Sequence, residues 1–228
     1  MEPVWDKLEE LQMPINWHVA DPSRYWRPEN HFNRLEDDSY FGEKPWKFDL
    51  LMQQQRVLER HPDLVVVAAH SNYLADMVPL LQQRLEKFPN YYIDLSATCG
   101  EWGRVPEELK FIVSEYGDRV LFGTDAGYRR SRIDSYDGDL DRAAEDVAAF
   151  YLAHFLFYGT DQRRIPVPWN GNYGADLVGW ENGFTRYTHD GVDLPDDRLR
   201  KIYYENAERL FRLDVSGWQP PEKPDWAR

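Results

Sequence analysis

The sequence predicts an α/β fold built on a parallel sheet, and three observations predict it. Continuous apolar runs, Leu64 to Ala69 and Val120 to Phe122, have the pattern of strands buried on both faces. The strand runs alternate with stretches whose apolar residues recur at helical spacing, and such alternation requires crossover connections and therefore parallel strands. The strand runs also stop at ionisable residues: His18, His70, Asp94 and Asp125. In parallel α/β folds the carboxyl ends of the strands open into the ligand site, so four polar termini in four strands point to one mouth.

The elements follow in order. Residues 3 to 12 read as a helix, with Pro3 early and Val4, Leu8 and Leu11 on one face. Ile15 to Val19 is a short strand carrying His18. Residues 21 to 48 form a long connection, well past the usual length, and its aromatics (Tyr25, Trp26, Phe32, Tyr40, Phe41, Trp46) suit an ordered lid. A helix over 49–60 closes at His61-Pro62, and the apolar strand 64–69 leads to His70. Met77, Leu80, Leu81, Leu85 and Phe88 mark the next helix, and Tyr91 to Ser96 the third strand. Leu109, Ile112, Val113 and Tyr116 form an apolar stripe between Pro106 and Gly117, which frame a helix. The fourth strand runs into Gly123, Thr124 and Asp125, with Gly127 just beyond. A helix over 142–158 ends in aromatics; 159–194 reads as irregular. A last helix runs from Pro195 to Phe211 with Leu199, Ile202, Tyr203 and Leu210 inward. The domain is expected over 1–213, with 214–228 as a tail. Four strand–helix units are half of an eight-unit barrel.

Composition bounds the function. With 42 % hydrophobic and 15 % aromatic residues the chain is not of the disordered class. The 27 basic and 40 acidic residues leave a net charge of -13, which argues against a nucleic-acid or anionic-membrane partner and leaves a small-molecule substrate. The single Cys99 excludes an intrachain disulfide and fits a reducing compartment. No signal peptide or span-length apolar run stands out, so a cytoplasmic location is expected.

The strand termini suggest the chemistry. Imidazole and carboxylate are the usual donors to Zn²⁺ and similar ions. A carboxylate beside such an ion accepts the proton of bound water, a role that suits Asp125. His70 is placed to polarise or protonate a substrate group. Arg24, Tyr25 and Trp26 from the lid, with Asp94 and Trp102, are the expected substrate contacts. The other histidines read as structural: His61 at a helix end, where a cation is favourable, His154 as packing in mid-helix, and His31 and His189 in loops.

Ordered along the chain, residues 14–22 (Pro14 to Pro22 around His18), Val67 to His70, Tyr92 to Ser96, Val120 to Asp125 and Ile202 to Leu210 resemble the amidohydrolase-related family. The resemblance is to its aminocarboxymuconate-semialdehyde decarboxylase-like branch of metal-dependent TIM-barrel hydrolases and decarboxylases, and it covers roughly residues 5 to 213. It implies that His18 ends the fifth barrel strand as a metal ligand and His70 the sixth as a catalytic group. Asp94 would lie on the seventh, and Asp125 would end the eighth as ligand and proton acceptor. The implied activity is hydrolysis or non-oxidative decarboxylation of a small organic substrate, with Zn²⁺ first among the implied ions and Mn²⁺ or another as alternatives. Three features depart from the family: no His-x-His pair occurs in the chain, the fourth-strand region is missing, and Ser71-Asn72 follow His70 where relatives often have a glycine nearby. The chain thus reads as the carboxyl-terminal half of such an enzyme, from an internal start or as a half-barrel unit. Weak or absent metal binding is expected from it in isolation. The alternatives are a non-catalytic remnant and a small-molecule-binding module. A homodimer, pairing the first strand of one copy with the fourth of the other, would close the barrel.

Overall fold

Four short parallel strands lie side by side in chain order: β1 (Ile15–Trp17), β2 (Val66–Ala68), β3 (Tyr91–Asp94) and β4 (Val120–Leu121). The computed structural model describes residues 2–26, 42, 45–126, 138–166 and 188–217. The lid positions 27–41, His31 included, Gly127, the stretch 167–187 and the tail beyond 217 lie outside the described residues. Register runs Ile15 to Val66, Val66 to Tyr91 and Ile93 to Val120, so the carboxyl ends of all four strands share one end of the sheet. Val66, Val67 and Ala68 are all buried, as their unbroken apolar run requires. The fold is the α/β half-barrel expected.

Helices make the crossovers. α1 (Glu2–Glu10) precedes β1, α2 (Lys47–Arg60) links β1 to β2, and α3 (Val78–Lys87) links β2 to β3. A short turn of helix, α4 (Cys99–Trp102), and α5 (Pro106–Tyr116) lead to β4. Pro106 and the acidic Glu107 and Glu108 suit the first turn of α5, where no backbone donor is needed and the helix dipole favours negative charge. Leu51, Val57 and Leu58 from α2, Leu81 and Leu85 from α3, and Leu109, Ile112 and Val113 from α5 are buried in the core. α6 (Leu140–Gly159) adds Ala153, Phe157 and Tyr158 to it. His154 is buried there and donates its Nδ1 proton to the Phe150 carbonyl at 2.8 Å; burial holds its pKa down to about 4, so it packs as a neutral ring.

α1 buries no residue fully, and it is held at its ends and by one stack. Trp5 lies on Trp17 of β1 with ring centroids 4.8 Å apart. His61, buried at the end of α2, meets Glu2 Oε2 at 3.0 Å and Glu9 Oε2 at 3.2 Å.

Two parts of the architecture depart from the sequence reading. Ile165–Pro166 (β5) and Thr188–His189 (β6) pair as an antiparallel ribbon within the stretch read as irregular. The last helix is not continuous: α7 (Asp196–Arg200) passes through a π turn (Lys201–Glu205) into α8 (Asn206–Phe211). In the π turn the Asn206 amide reaches back to the Lys201 carbonyl, which frees Ile202 from its α-helical partner. The freed Ile202 carbonyl accepts the Phe122 amide proton at 2.9 Å. The Asn206 side chain donates to the carbonyls of Gly117 and Val120, both at 2.7 Å. Since Leu121 faces β3 through its carbonyl, Val120 and Phe122 face the other way, and the helix has taken their outward groups. Among the described residues no helix is long and apolar enough to cross a membrane.

Candidate active site

Beyond the ends of β1 and β2, two histidine rings meet. His18 follows Trp17 and is half exposed; its Nε2 lies 3.6 Å from Asp21 Oδ1. His70 is buried, and its ring crosses that of His18 edge-on with centroids 5.0 Å apart. On another side the Tyr73 ring stacks on His70, also at 5.0 Å.

His70 does not stand at a plain strand end. It opens a run of four residues in the left-handed region: His70, Ser71, Asn72 and Tyr73, with φ of 56, 51, 51 and 49°. None is glycine, and left-handed helical geometry costs about 1–2 kcal/mol per L-residue. Such a conformation persists only where its surroundings over-determine it. Here every residue of the turn has its own anchor. The His70 amide donates to Asp94 Oδ1 at 3.0 Å, and the Ser71 hydroxyl to the Asp94 carbonyl at 2.8 Å. The Asn72 amide donates to Gln54 Oε1 at 2.8 Å and Tyr91 Oη at 2.7 Å. The Tyr73 carbonyl accepts from Lys47 Nζ at 2.6 Å.

These contacts set the tautomer of the neutral His70 ring. Its Nδ1 lies 2.8 Å from the Ser96 carbonyl, which can only accept, so Nδ1 carries the proton. Ser96 Oγ, 2.9 Å from the same nitrogen, donates its own proton to Asp94 Oδ1, which also takes the Ser96 amide. In the neutral ring Nε2 is then the free lone pair, and among the described residues nothing hydrogen-bonds to it. Asp94, expected as a substrate contact, supports the turn and Ser96. Ser96 comes this close because residue 123 is glycine: a Cβ at Gly123 would stand 2.9 Å from Ser96 Cβ.

The remaining expected site residues divide. Asp125 follows β4 at φ 59°, is exposed, and comes after a buried Thr124 whose hydroxyl accepts the Ala126 amide at 3.2 Å. Trp26 and Trp102, expected as substrate contacts, are core residues, 4 % and 0 % exposed. The Trp26 indole donates to the Pro45 carbonyl at 2.7 Å. Tyr25 is partly buried against the same core, and the Arg24 side chain lies outside the described residues. Among the described residues no three His, Cys, Asp or Glu side chains are grouped so as to hold a metal ion. A catalytic zinc site takes three protein ligands, so the described donor set does not fit one.

Sequence reasoning passed over Ser96, the left-handed course of residues 70–73 and Lys47. Ser96 had a signal, since it stands two residues after Asp94, the period that puts both on one face of a strand. Lys47 had none.

Several comparisons bear on this arrangement. The amidohydrolase family profile matches residues 2–213. Among solved structures, the chain is similar to an uncharacterized TIM-barrel protein from Bordetella bronchiseptica at 16 % identity, over 92 % of this chain and 50 % of that one, with a TM-score of 0.45. It is similar also to a 2,6-dihydroxybenzoate decarboxylase in complex with 2,6-dihydroxybenzoate at 16 % identity, over 93 % of this chain and 55 % of that one, with a TM-score of 0.42. The chain spans about half the length of these structures. No curated protein sequence matches it. With the family profile covering nearly all of its described elements, this chain belongs to the amidohydrolase family.

Proposed function

We propose that this chain carries part of the active site of a metal-dependent amidohydrolase-family enzyme that hydrolyses or non-oxidatively decarboxylates a small organic substrate, with His70 as the proton-transfer group. One observation supports this above the others. The Ser96 carbonyl fixes the His70 proton on Nδ1, which leaves the Nε2 lone pair without a described partner, beside His18. An imidazole held in one tautomer accepts a proton at Nε2 and, once protonated, delivers it to a substrate carbon or leaving atom. Asp94 and Ser96 hold the ring and its tautomer without touching the substrate. His18 and Asp125 are proposed as metal ligands. Two donors make a weak site, so the chain alone is expected to lose Zn²⁺ or Mn²⁺ on dialysis.

The test offers the purified chain, with added Zn²⁺ or Mn²⁺, a panel of aromatic and aliphatic carboxylates, scored by CO₂ release, and a panel of amides and lactones, scored by acid release. Slow turnover of one class is expected, stimulated by the ion and lowered about 100-fold or more by His70→Asn. Turnover unchanged in that variant would remove His70 from the role. The short donor set favours a second reading, a non-catalytic remnant or small-molecule-binding module. Ligand-induced quenching of tryptophan fluorescence with no turnover on either panel would select it.

A further inference from the structure

Lys47 is placed where a lysine has little to gain. It is buried, and burial pulls its pKa down against the carboxylates of Asp76, Glu101 and Asp21. It is also the first residue of α2, the end of a helix that disfavours a cation. A residue set against both rules marks a site where something other than stability is served.

Its three contacts reach both arms of the candidate site. Nζ donates to the Tyr73 carbonyl at 2.6 Å, at the end of the left-handed turn, and the Tyr73 ring lies on His70. Nζ also donates to Ser23 Oγ at 3.0 Å, and Ser23 passes its own proton to Asp76, whose other oxygen lies 3.4 Å from the ammonium. Ser23 stands two residues from Asp21, which faces His18 Nε2. The path from one ring to the other therefore runs His70, Tyr73, Lys47, Ser23, Asp21, His18. We propose that Lys47 is a positioning residue that holds His18 and His70 in register by tying the turn after β2 to the segment 21–26 after β1. The inference rests on the reading of the two histidines as one site, and it adds a residue that touches neither ring.

The test reads ring geometry, so it is independent of whether a substrate is found. In the full chain with ¹⁵N-labelled histidine, NMR gives the tautomer of His70 and the cross-peak between the His18 and His70 ring protons. Lys47→Met keeps an unbranched side chain, one atom shorter, and removes the charge. Replacing a buried charge by an apolar group of similar size is often neutral or stabilising, so a merely structural lysine would leave the histidine signals in place. The expected result is a folded protein that has lost the His18–His70 cross-peak, with partial return in Lys47→Arg. A retained cross-peak in folded Lys47→Met overturns the proposal. Ser23→Ala cuts only the arm toward His18 and decides the matter if Lys47→Met does not fold. Loss of the cross-peak with the His70 tautomer kept supports the role, and an undisturbed cross-peak overturns it. Failure of the substrate panels with these NMR outcomes intact would remove the proposed reaction and leave the positioning role standing.

Discussion

Asn206 donates its side-chain amide to the carbonyl of Val120 at 2.7 Å, across 86 residues of chain. The same amide reaches Gly117, and Arg209 Nη2 donates to Asn206 Oδ1 at 3.1 Å, which fixes the amide with its nitrogen toward the strand. Asn206 is fully buried, so its loss leaves two carbonyls without a donor. Asn206→Ala is expected to lower stability by about 2 to 4 kcal/mol, from two lost bonds and the unmatched groups. Asn206→Asp, similar in shape but without the donor, should cost at least as much. Urea unfolding measures both; a change below about 0.5 kcal/mol would mean the amide does not secure β4.

Gly123→Ala tests the close approach of β4 to Ser96. The new methyl would stand 2.9 Å from Ser96 Cβ, and one of the two must shift. Overpacking of this kind costs about 1–3 kcal/mol. Because Ser96 holds His70 Nδ1, the variant is expected to alter the His70 ring signals in ¹⁵N NMR as well as the unfolding midpoint. A shifted midpoint with unchanged His70 signals would separate packing from the site.

The contact of His61 with α1 gives a pH dependence with a definite sign. Its pKa is raised, first by the hydrogen bond to Glu2 and then by Glu9 and Asp6, against a loss from burial. A raised imidazole pKa contributes stability that is complete below the unfolded value of about 6.5 and is lost as pH rises through the folded value above it. Glu2 is shifted down, first by its bond to His61, so its share is present above the ordinary carboxylate range and lost as pH falls. Docking of α1 is thus strongest between the carboxylate range and about 6.5, and it weakens from there up through the raised His61 value. Thermal melts across that range should show the decline on the alkaline side, and His61→Gln should flatten it. A parallel decline in the variant would assign the dependence to other groups.

Cys99 is expected to resist modification. It is buried against Tyr158 Oη at 3.6 Å, and burial pushes its pKa up to about 12. The thiolate is the reactive form, so a thiol reagent at neutral pH should label the native protein slowly and the urea-unfolded protein at once. Rapid labelling of the native chain would show that α4 opens readily.

The parts of the fold that could be read from sequence are those whose pattern and burial coincide. The run at Val65, Val66 and Val67 and the stripe Leu109, Ile112, Val113 carry their environment in their spacing. The left-handed turn does not, because the usual sign of positive φ is glycine, and Ser71, Asn72 and Tyr73 reach it through partners 18 to 26 residues away. The π turn was hidden because Leu199, Ile202, Tyr203 and Leu210 keep an ordinary helical rhythm around it. The burial of Trp26 and Trp102 was not legible either, since large aromatics fill cores as readily as they line mouths. Within the candidate site, His18, His70 and Asp94 were marked by strand position. The tautomer of His70 was not, since it depends on the Ser96 carbonyl lying against Nδ1.

The seal on β4 also orders events during synthesis. Val120 leaves the ribosome 86 residues ahead of Asn206, the side chain that covers its carbonyl. At about 5–20 residues per second, that interval is about 4 to 17 s. Over that time the nascent sheet has a bare edge open to any strand that comes near. A chaperone that occupies the emerging chain, or slow codons placed late in the message, would therefore act on yield through this one strand and leave the finished protein's stability untouched.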